Sequence, residues 1–383
     1  MNGESAKRLR RRRVVKWLGS ALALGPSLAR AQAAARGSAA HGPSEDVPSA
    51  RPAQVVPGYR LRFPADGGSH PAFRTEWWYL TGWLEAADAA AVGFQLTFFR
   101  TRLDIDTRNP SAFSPQQIVI GHVALSDAKR GHLLHDQKVA RVALGLAGAD
   151  EGRTHVWIDD WSLTQEANGY RARIPAHGFA CDLRFTPTQA PLLQGEAGFS
   201  RKGPRPESAS YYYSIPHLQV SGALAEGARR APVTGTAWLD HEWSSSYLDE
   251  RAVGWDWIGI NLNDGSALMA FRMRDRDAGQ FWAGGAHRTR AGVLRTFRPD
   301  EIEFVPGRSW RSPRTGTRYP VVWRVRAGTL DLTIAPLMDD QEYDTRASVG
   351  TIYWEGAVWA LHEGKPAGRG YLELTGYWRP MKL

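Results

Sequence analysis

The chain reads as an all-β protein made of two tandem antiparallel β-barrels, and three observations carry that reading. Apolar and aromatic runs recur at eight- to fifteen-residue spacing from residue 70 onward. They are punctuated by 39 Gly and 23 Pro, with few sustained helical periods, as short strands joined by turns require. The second half also echoes the first. Glu76-Trp77-Trp78-Tyr79 leading to Phe98-Phe99-Arg100 is answered by Trp255-Asp256-Trp257-Ile258 leading to Phe271-Arg272-Met273-Arg274. One large sandwich is the alternative architecture.

The N-terminus is of a different kind. Of the formal charge of +9, a net +7 lies in residues 1–31, leaving about +2 for the rest. The basicity is that of a leader, so nucleic-acid binding loses its electrostatic support. Arg12-Arg13-Val14-Val15-Lys16 has the form of a twin-arginine export signal. The apolar stretch 17–28 is broken by Gly19, Gly25 and Pro26 and is too short to span a bilayer. Ala29-Arg30-Ala31 offers a small-x-small cleavage site. The mature protein is therefore expected to be periplasmic or secreted, with no transmembrane segment. Residues 32–57, rich in Ala, Pro, Ser and Gly, are expected to be a disordered linker. The barrels are expected over 58–228 and 229–383.

Residues 70–84 form a strand with aromatics on both faces, so both faces are covered. Glu76 is its exception, and a carboxylate in that setting needs a partner such as Arg74, Arg100 or Arg102. The run 93–100 returns as its hairpin partner. Strands are expected at 117–126, 139–146, 155–164, 170–174 and 179–185. Cys181 is the single Cys, which excludes an intrachain disulfide and a Cys-based zinc site. Pro216 places the strand 211–222 at an edge or a bulge. Residues 225–232 suit a domain linker. Further strands follow at 281–289, 293–297, 301–305, 319–325, 330–336, 351–362 and 370–377.

The chemistry concentrates between Trp238 and Trp257, which hold four of the sixteen Trp. No Gly-x-Ser-x-Gly elbow, phosphate loop, dinucleotide fingerprint or His-Glu-x-x-His occurs. Asp240-His241-Glu242 is the one place where a His clusters with carboxylates along the sequence. On a strand these residues alternate in direction, so all three cannot hold one metal. Asp240 and Glu242 face one side, His241 and Trp243 the other. No metal or cofactor is expected.

Four segments, Glu76-Trp77-Trp78-Tyr79-Leu80-Thr81-Gly82, Tyr212-Tyr213-Ser214, Trp238-Leu239-Asp240-His241-Glu242-Trp243 and Gly254-Trp255-Asp256-Trp257, carry a likeness covering about residues 58–380. Together they resemble the lipocalin-like carotenoid 1,2-hydratase (hydroxyneurosporene synthase, CrtC-like) family. Within it they are closer to the secreted AttH-type branch, often labelled predicted secreted hydrolases. The resemblance implies two lipocalin-like barrels. From the hydratase members it implies addition of water to a terminal double bond of an acyclic carotenoid, without a redox cofactor. It makes His241 and Trp243 catalytic, with Asp256 as the acid and Trp255 beside it, although the spacing to the first pair is shorter here. Alkene hydration begins with protonation, and a carboxyl between Trp255 and Trp257 would gain the raised pKa that a proton donor needs. Ring faces would stabilise the cation. Glu76, Trp78, Tyr213 and Trp257 are the expected ligand contacts, at a site between the barrels.

Two function classes stay open. One is a hydro-lyase acting on a large apolar substrate. The other is a periplasmic carrier of a lipid or similar apolar molecule, associated with an ABC-type export system. Hydrolysis, which the branch label suggests, lacks a visible nucleophile.

Overall fold

The computed structural model describes residues 51–86, 91–103, 114 and 116–381. The export signal and most of the linker lie outside them. Residues 51–57, assigned from sequence to the linker, are ordered. Ala53 N–H bonds Ala72 O at 2.8 Å, Val56 N–H bonds the Tyr211 hydroxyl, and Val55 is buried in the first core.

The first sheet is built from β1 (Thr75–Glu85), β2 (Val92–Arg102), β3 (Gln117–Ser126), β4 (Leu134–Arg141), β5 (Ala147–Ala149) and β6 (His155–Ile158). It continues through β7 (Trp161–Glu166), β8 (Gly169–Ala176), β9 (Phe179–Thr186), β10 (Leu192–Leu193), β11 (Phe199–Arg201), β12 (Ala209–Glu226) and β13 (Arg229–Ser244). The second comprises β14 (Gly254–Leu262), β15 (Ala267–Arg274), β16 (Gln280–Arg288), β17 (Leu294–Phe297) and β18 (Ile302–Pro306). After the small hairpin β19 (Ser309–Arg311) and β20 (Arg318–Pro320), it resumes with β21 (Trp323–Ala327), β22 (Leu330–Pro336), β23 (Glu342–Thr345), β24 (Thr351–His362) and β25 (Lys365–Leu374).

Strand order in the first sheet is β4-β3-β2-β1-β13-β12-β9-β8-β7-β6-β5, with β10 and β11 also on β12. Its edges meet, β5 and β6 lying against β3 and β4. The second sheet runs β17-β16-β15-β14-β25-β24-β22-β21-β18, with β23 on β24, and β18 comes round to β15 and β16. All pairings are antiparallel, and the all-β, lipocalin-like architecture expected from sequence holds.

One expectation is overturned. The strand with the Trp238–Trp243 motif does not open the second barrel; it completes the first. It pairs with β1 from Thr75↔Ser244 to Glu85↔Thr234 and with β12 on its other side. The cause is local. Residues 225–232 are a hairpin rather than a linker, with Gly227 at φ 57° folding β13 straight back onto β12. The strand placed at 139–146 likewise sits earlier, because Leu144 and Gly145 both take positive φ and turn the chain. Asp159, at φ 57°, splits the long strand expected at 155–164 into β6 and β7. Pro216 does sit at a bulge, where the β12–β13 register shifts between Ile215 and Leu218.

The strands between the two sheets are buried on both faces. Along β1, Trp78, Leu80 and Leu84 enter the first barrel, while Tyr79 and Trp83 enter a separate cluster. Along β14, Ile258 and Ile260 enter the second barrel, while Trp257 joins that same cluster. The shared cluster, with Tyr212, Trp238, Met269, Phe271 and Tyr371, is a seam between the sheets. Period-two alternation thus supplies two cores per strand. Among the described residues no helix is long and apolar enough to cross a membrane.

The two sheets come into close contact at Gly93. A Cβ built on Gly93 would lie 2.4 Å from Ala357 Cβ and 2.9 Å from the Tyr371 hydroxyl. Nearby, Trp83 Nε1 donates to Gly370 O at 3.2 Å. Gly93→Val should therefore force the sheets apart and lower stability by about 1–3 kcal/mol, the usual cost of overpacking. Denaturant unfolding checks this; an unchanged midpoint would show that the sheets do not touch at Gly93.

Candidate functional site

Two buried clusters and one cavity divide the candidate residues. The first cluster lies inside the first barrel. Glu76 on β1 is fully buried and receives Arg100 Nε from the registered position on β2 at 2.8 Å. Its other oxygen meets His241 Nε2 at 3.0 Å and His70 Nδ1 at 2.7 Å. Trp78 stacks on His241 with ring centroids 4.8 Å apart, and Trp243 on His70 at 3.8 Å. The Tyr213 hydroxyl lies 3.2 Å from His241 Nδ1, and Asp66 contacts His70 Nε2 at 3.3 Å. Five sequence-predicted residues therefore converge here, together with His70, which sequence reasoning missed.

The electrostatics are those of a satisfied network. Burial alone would raise the Glu76 pKa, but hydrogen bonds from His241 and His70 override it and hold the carboxyl well below its ordinary value. Burial pushes His241 down against the pull of Glu76. His70 is raised, because Asp66 and Glu76 outweigh its desolvation. His70, Glu76 and His241 also present three ligand-type atoms within 4.8 Å of one another. A metal would have to displace the two histidine contacts with Glu76, whose other oxygen is held by Ser69, the His70 N–H and Arg100. The donor set fits a hydrogen-bonded ion cluster.

The second cluster corrects the acid assignment. Asp256 does not approach His241; it points into the second barrel. There it is fully buried and bonded to Arg272 Nε at 2.6 Å, Arg274 Nε at 3.2 Å and the Tyr377 hydroxyl at 3.0 Å. Arg272 stands opposite it in register, as Arg100 stands opposite Glu76. Asp256 is the second-half counterpart of Glu76, neutralised by two guanidinium groups. The reason is alternation: Trp255 and Trp257 face the seam, so the residue between them cannot.

The cavity, of about 180 Å³, lies in that seam. Trp77, Tyr79, Phe99, Trp255, Trp257 and Phe271 supply apolar wall, and Asp240, Glu242, Glu355, Glu373, Lys202 and His122 supply polar groups. Glu242 pairs with Lys202 at 3.0 Å. Asp240 accepts from Tyr212 and Trp238 at 2.7 Å each and from Ser214; burial nevertheless raises it to about 7. Glu355 and Glu373 are register partners on β24 and β25, a spacing of about 5 Å between Cβ atoms. Burial raises Glu373 to about 7, against the Trp255 indole N–H that donates to it at 2.8 Å. Burial, and then the charge of Glu373, hold Glu355 well above the ordinary range. The Tyr79 and Tyr353 hydroxyls lie beside the Glu355 carboxyl and pull it the other way without overcoming its burial. His122 bonds Tyr353 and Ser348 across the seam, and burial lowers it to about 3.

Of the predicted site residues, Trp255, Trp257 and Glu76 line this cavity; His241, Trp243, Trp78, Tyr213 and Asp256 do not. Sequence reasoning missed Glu355, Glu373 and Lys202. The signal was there for the first two: each is a lone acid in an apolar run, Tyr353-Trp354-Glu355-Gly356-Ala357 and Tyr371-Leu372-Glu373-Leu374, as Glu76 is.

Two curled antiparallel sheets enclosing an aromatic seam define a protein of the lipocalin-like double-barrel class. The AttH-like family profile matches residues 54–377, and the chain belongs to that family. It is similar to the crystal structure of a Nitrosomonas europaea protein assigned as AttH, with 56% identity and TM-score 0.80 over 85% of this chain and 99% of that one. Kievitone hydratase from Nectria haematococca shares the fold at 12% identity and TM-score 0.62, covering 83% of this chain and 94% of its own. CghA does so at 14% identity and TM-score 0.51, over 78% and 88%. No curated protein matches the chain.

Two measurements test the electrostatics. Glu76→Gln leaves Arg100 buried without its counter-charge and should cost about 3–5 kcal/mol; an unchanged unfolding free energy would contradict the pairing. For Glu373, the folded pKa of about 7 lies above its unfolded value. Its contribution to stability is therefore full below the unfolded value, about 4.3, and is lost as pH rises through the folded one. The melting temperature should fall between about pH 5 and pH 8, and fall less in Glu373→Gln, whose side chain stays neutral. Parallel curves for the two proteins would show that Glu373 is not raised.

Proposed function

We propose that the seam cavity takes one end of a large apolar molecule, isoprenoid or lipid-like, and adds water to a double bond there by acid catalysis. The observation that carries this reading is the Glu355–Glu373 pair: two carboxyls in register on neighbouring strands inside an aromatic-lined cavity, with no ion-pair partner among the described residues. Such a pair retains a proton near neutrality, since both groups cannot readily ionise side by side. The volume suits one end of a ligand rather than a whole carotenoid, because a cavity of about 150 Å³ holds a benzene ring.

In this mechanism the pair gives its proton to the less substituted alkene carbon, and the π electrons form the new C–H bond. The tertiary cation is held against the indole faces of Trp77, Trp255 and Trp257. Water adds to it, and the resulting oxonium returns a proton to the carboxylate pair. The sum is alkene plus water to tertiary alcohol. The role assigned from sequence to Asp256 passes to Glu355 and Glu373, and His241 and Trp243 act as structural supports. The basic leader and its Arg12-Arg13 pair favour export, so the reaction belongs in the periplasm or outside the cell.

A carrier is the second reading. It is favoured by the burial of His241, Trp243 and Asp256 in satisfied clusters, which leaves the constellation implied by family resemblance unassembled. Exchange with an ABC-type exporter would follow from it.

Incubation with acyclic isoprenoids in heavy water, read by mass spectrometry, separates the two. Wild-type protein should place deuterium on carbon. The Glu355→Gln/Glu373→Gln variant should bind a neutral naphthalene dye unchanged but lose at least about 99% of the incorporation, the usual size of a general-acid effect. Dye binding without deuterium incorporation in the wild type would exclude the hydratase and leave the carrier.

A further inference from the structure

The acids in the seam outnumber what proton donation needs, and their surroundings point to the charge of the ligand. In the cavity wall an ammonium group is already in place. Lys202 Nζ sits 4.6 Å from the Tyr212 ring centroid and 4.3 Å from that of Phe271, with Glu242 at 3.0 Å. Two ring faces and a carboxylate form a known arrangement for holding a cation out of water.

Beside it the same components recur without a cation, Trp77 standing in register with Glu242. Trp77 and Tyr247 lie with centroids 5.2 Å apart, and Tyr247 and Trp255 at 6.3 Å. Glu373 is fixed beside them by the Trp255 indole, and Glu355, 2% exposed, stands in register with it. Among the described residues, Asp240, Glu355 and Glu373 form no ion pair, whereas Lys202 is matched by Glu242. Arg100, the other strong base at the cavity, is bound to Glu76 and to the His70 and Phe73 carbonyls. His122 is neutral. The cavity therefore carries acid in excess and no spare base.

From this geometry we infer that the cargo of the seam cavity bears an organic ammonium group, seated among Trp77, Tyr247 and Trp255 against Glu355 and Glu373. The inference rests on the carrier reading of the cavity, since a cation against the pair would draw off the proton that hydration needs, and it narrows the apolar ligand to a cationic amphiphile. An ammonium group there would supply the counter-charge that the acid pair lacks. A carboxylate would meet these acids with Lys202 already bound to Glu242, so fatty acids are disfavoured. An uncharged isoprenoid would occupy the same walls and leave the pair without a counter-charge.

The test uses three ligands with one common chain: decyltrimethylammonium, decanol and decanoate, titrated against the full-length protein below their micelle concentrations. Binding is read by quenching of Trp fluorescence and by calorimetry. The ammonium should bind at least about tenfold more tightly than the alcohol, equivalent to 1.4 kcal/mol, and decanoate should bind most weakly. In Glu355→Gln/Glu373→Gln the ammonium should fall to the affinity of decanol, with decanol itself unchanged. Trp255→Phe, which keeps a ring face, should retain the preference for ammonium. Equal binding of ammonium and alcohol, or an ammonium preference that survives the double substitution, overturns the inference while leaving the apolar cavity intact. Failure of all three to bind overturns the cavity as the ligand site as well.

Discussion

The whole arrangement depends on the two-residue alternation of strands that have no solvent-facing side. On β1, β12, β13, β14, β24 and β25, one face fills a barrel and the other fills the seam. Neighbouring residues are consequently assigned to different environments: His241 to a barrel and Glu242 to the cavity, Asp256 to a barrel and Trp255 to the cavity. Which chemistry a side chain joins is decided by its parity on the strand more than by its nearness in sequence.

Each barrel spends the same device on its buried acid. Glu76 faces Arg100 across β1 and β2, and Asp256 faces Arg272 across β14 and β15. A carboxylate inside a barrel is tolerable only with its counter-charge and its remaining lone pairs satisfied, and both are. The seam acids are treated differently. Among the described residues Asp240 has donors but no cation, and Glu355 and Glu373 stand side by side with no cation either. An unresolved cost of that kind, repeated in one cavity, marks a site better than the presence of histidine does.

Much of the architecture was legible. Aromatics on both faces of residues 70–84 required two covered faces, and the echo between the halves appears as the duplicated acid–arginine pair. The pairing of Glu76 with one of three named arginines follows from burial alone. The placement of β13 was not legible, since a Gly-containing break between strands reads equally as linker or hairpin until its partners are known. Asp256 misled because flanking tryptophans imply desolvation but do not say which core performs it. His70 comes from a loop, and Lys202 meets Glu242 across forty residues of chain; neither contact leaves a local pattern. Glu355 and Glu373 did leave one, as isolated acids in apolar strands.

The close approach at Gly93 lies toward one end of the seam, and the cavity lies toward the other, beside Thr75, Thr101 and Thr375. With no side chain on Gly93, the two walls touch there, Ala357 and the Tyr371 hydroxyl standing where a Cβ would lie. A bulkier residue at this position would have to shift one sheet against the other, so the spacing of the two walls is set in part by a residue that does not line the cavity.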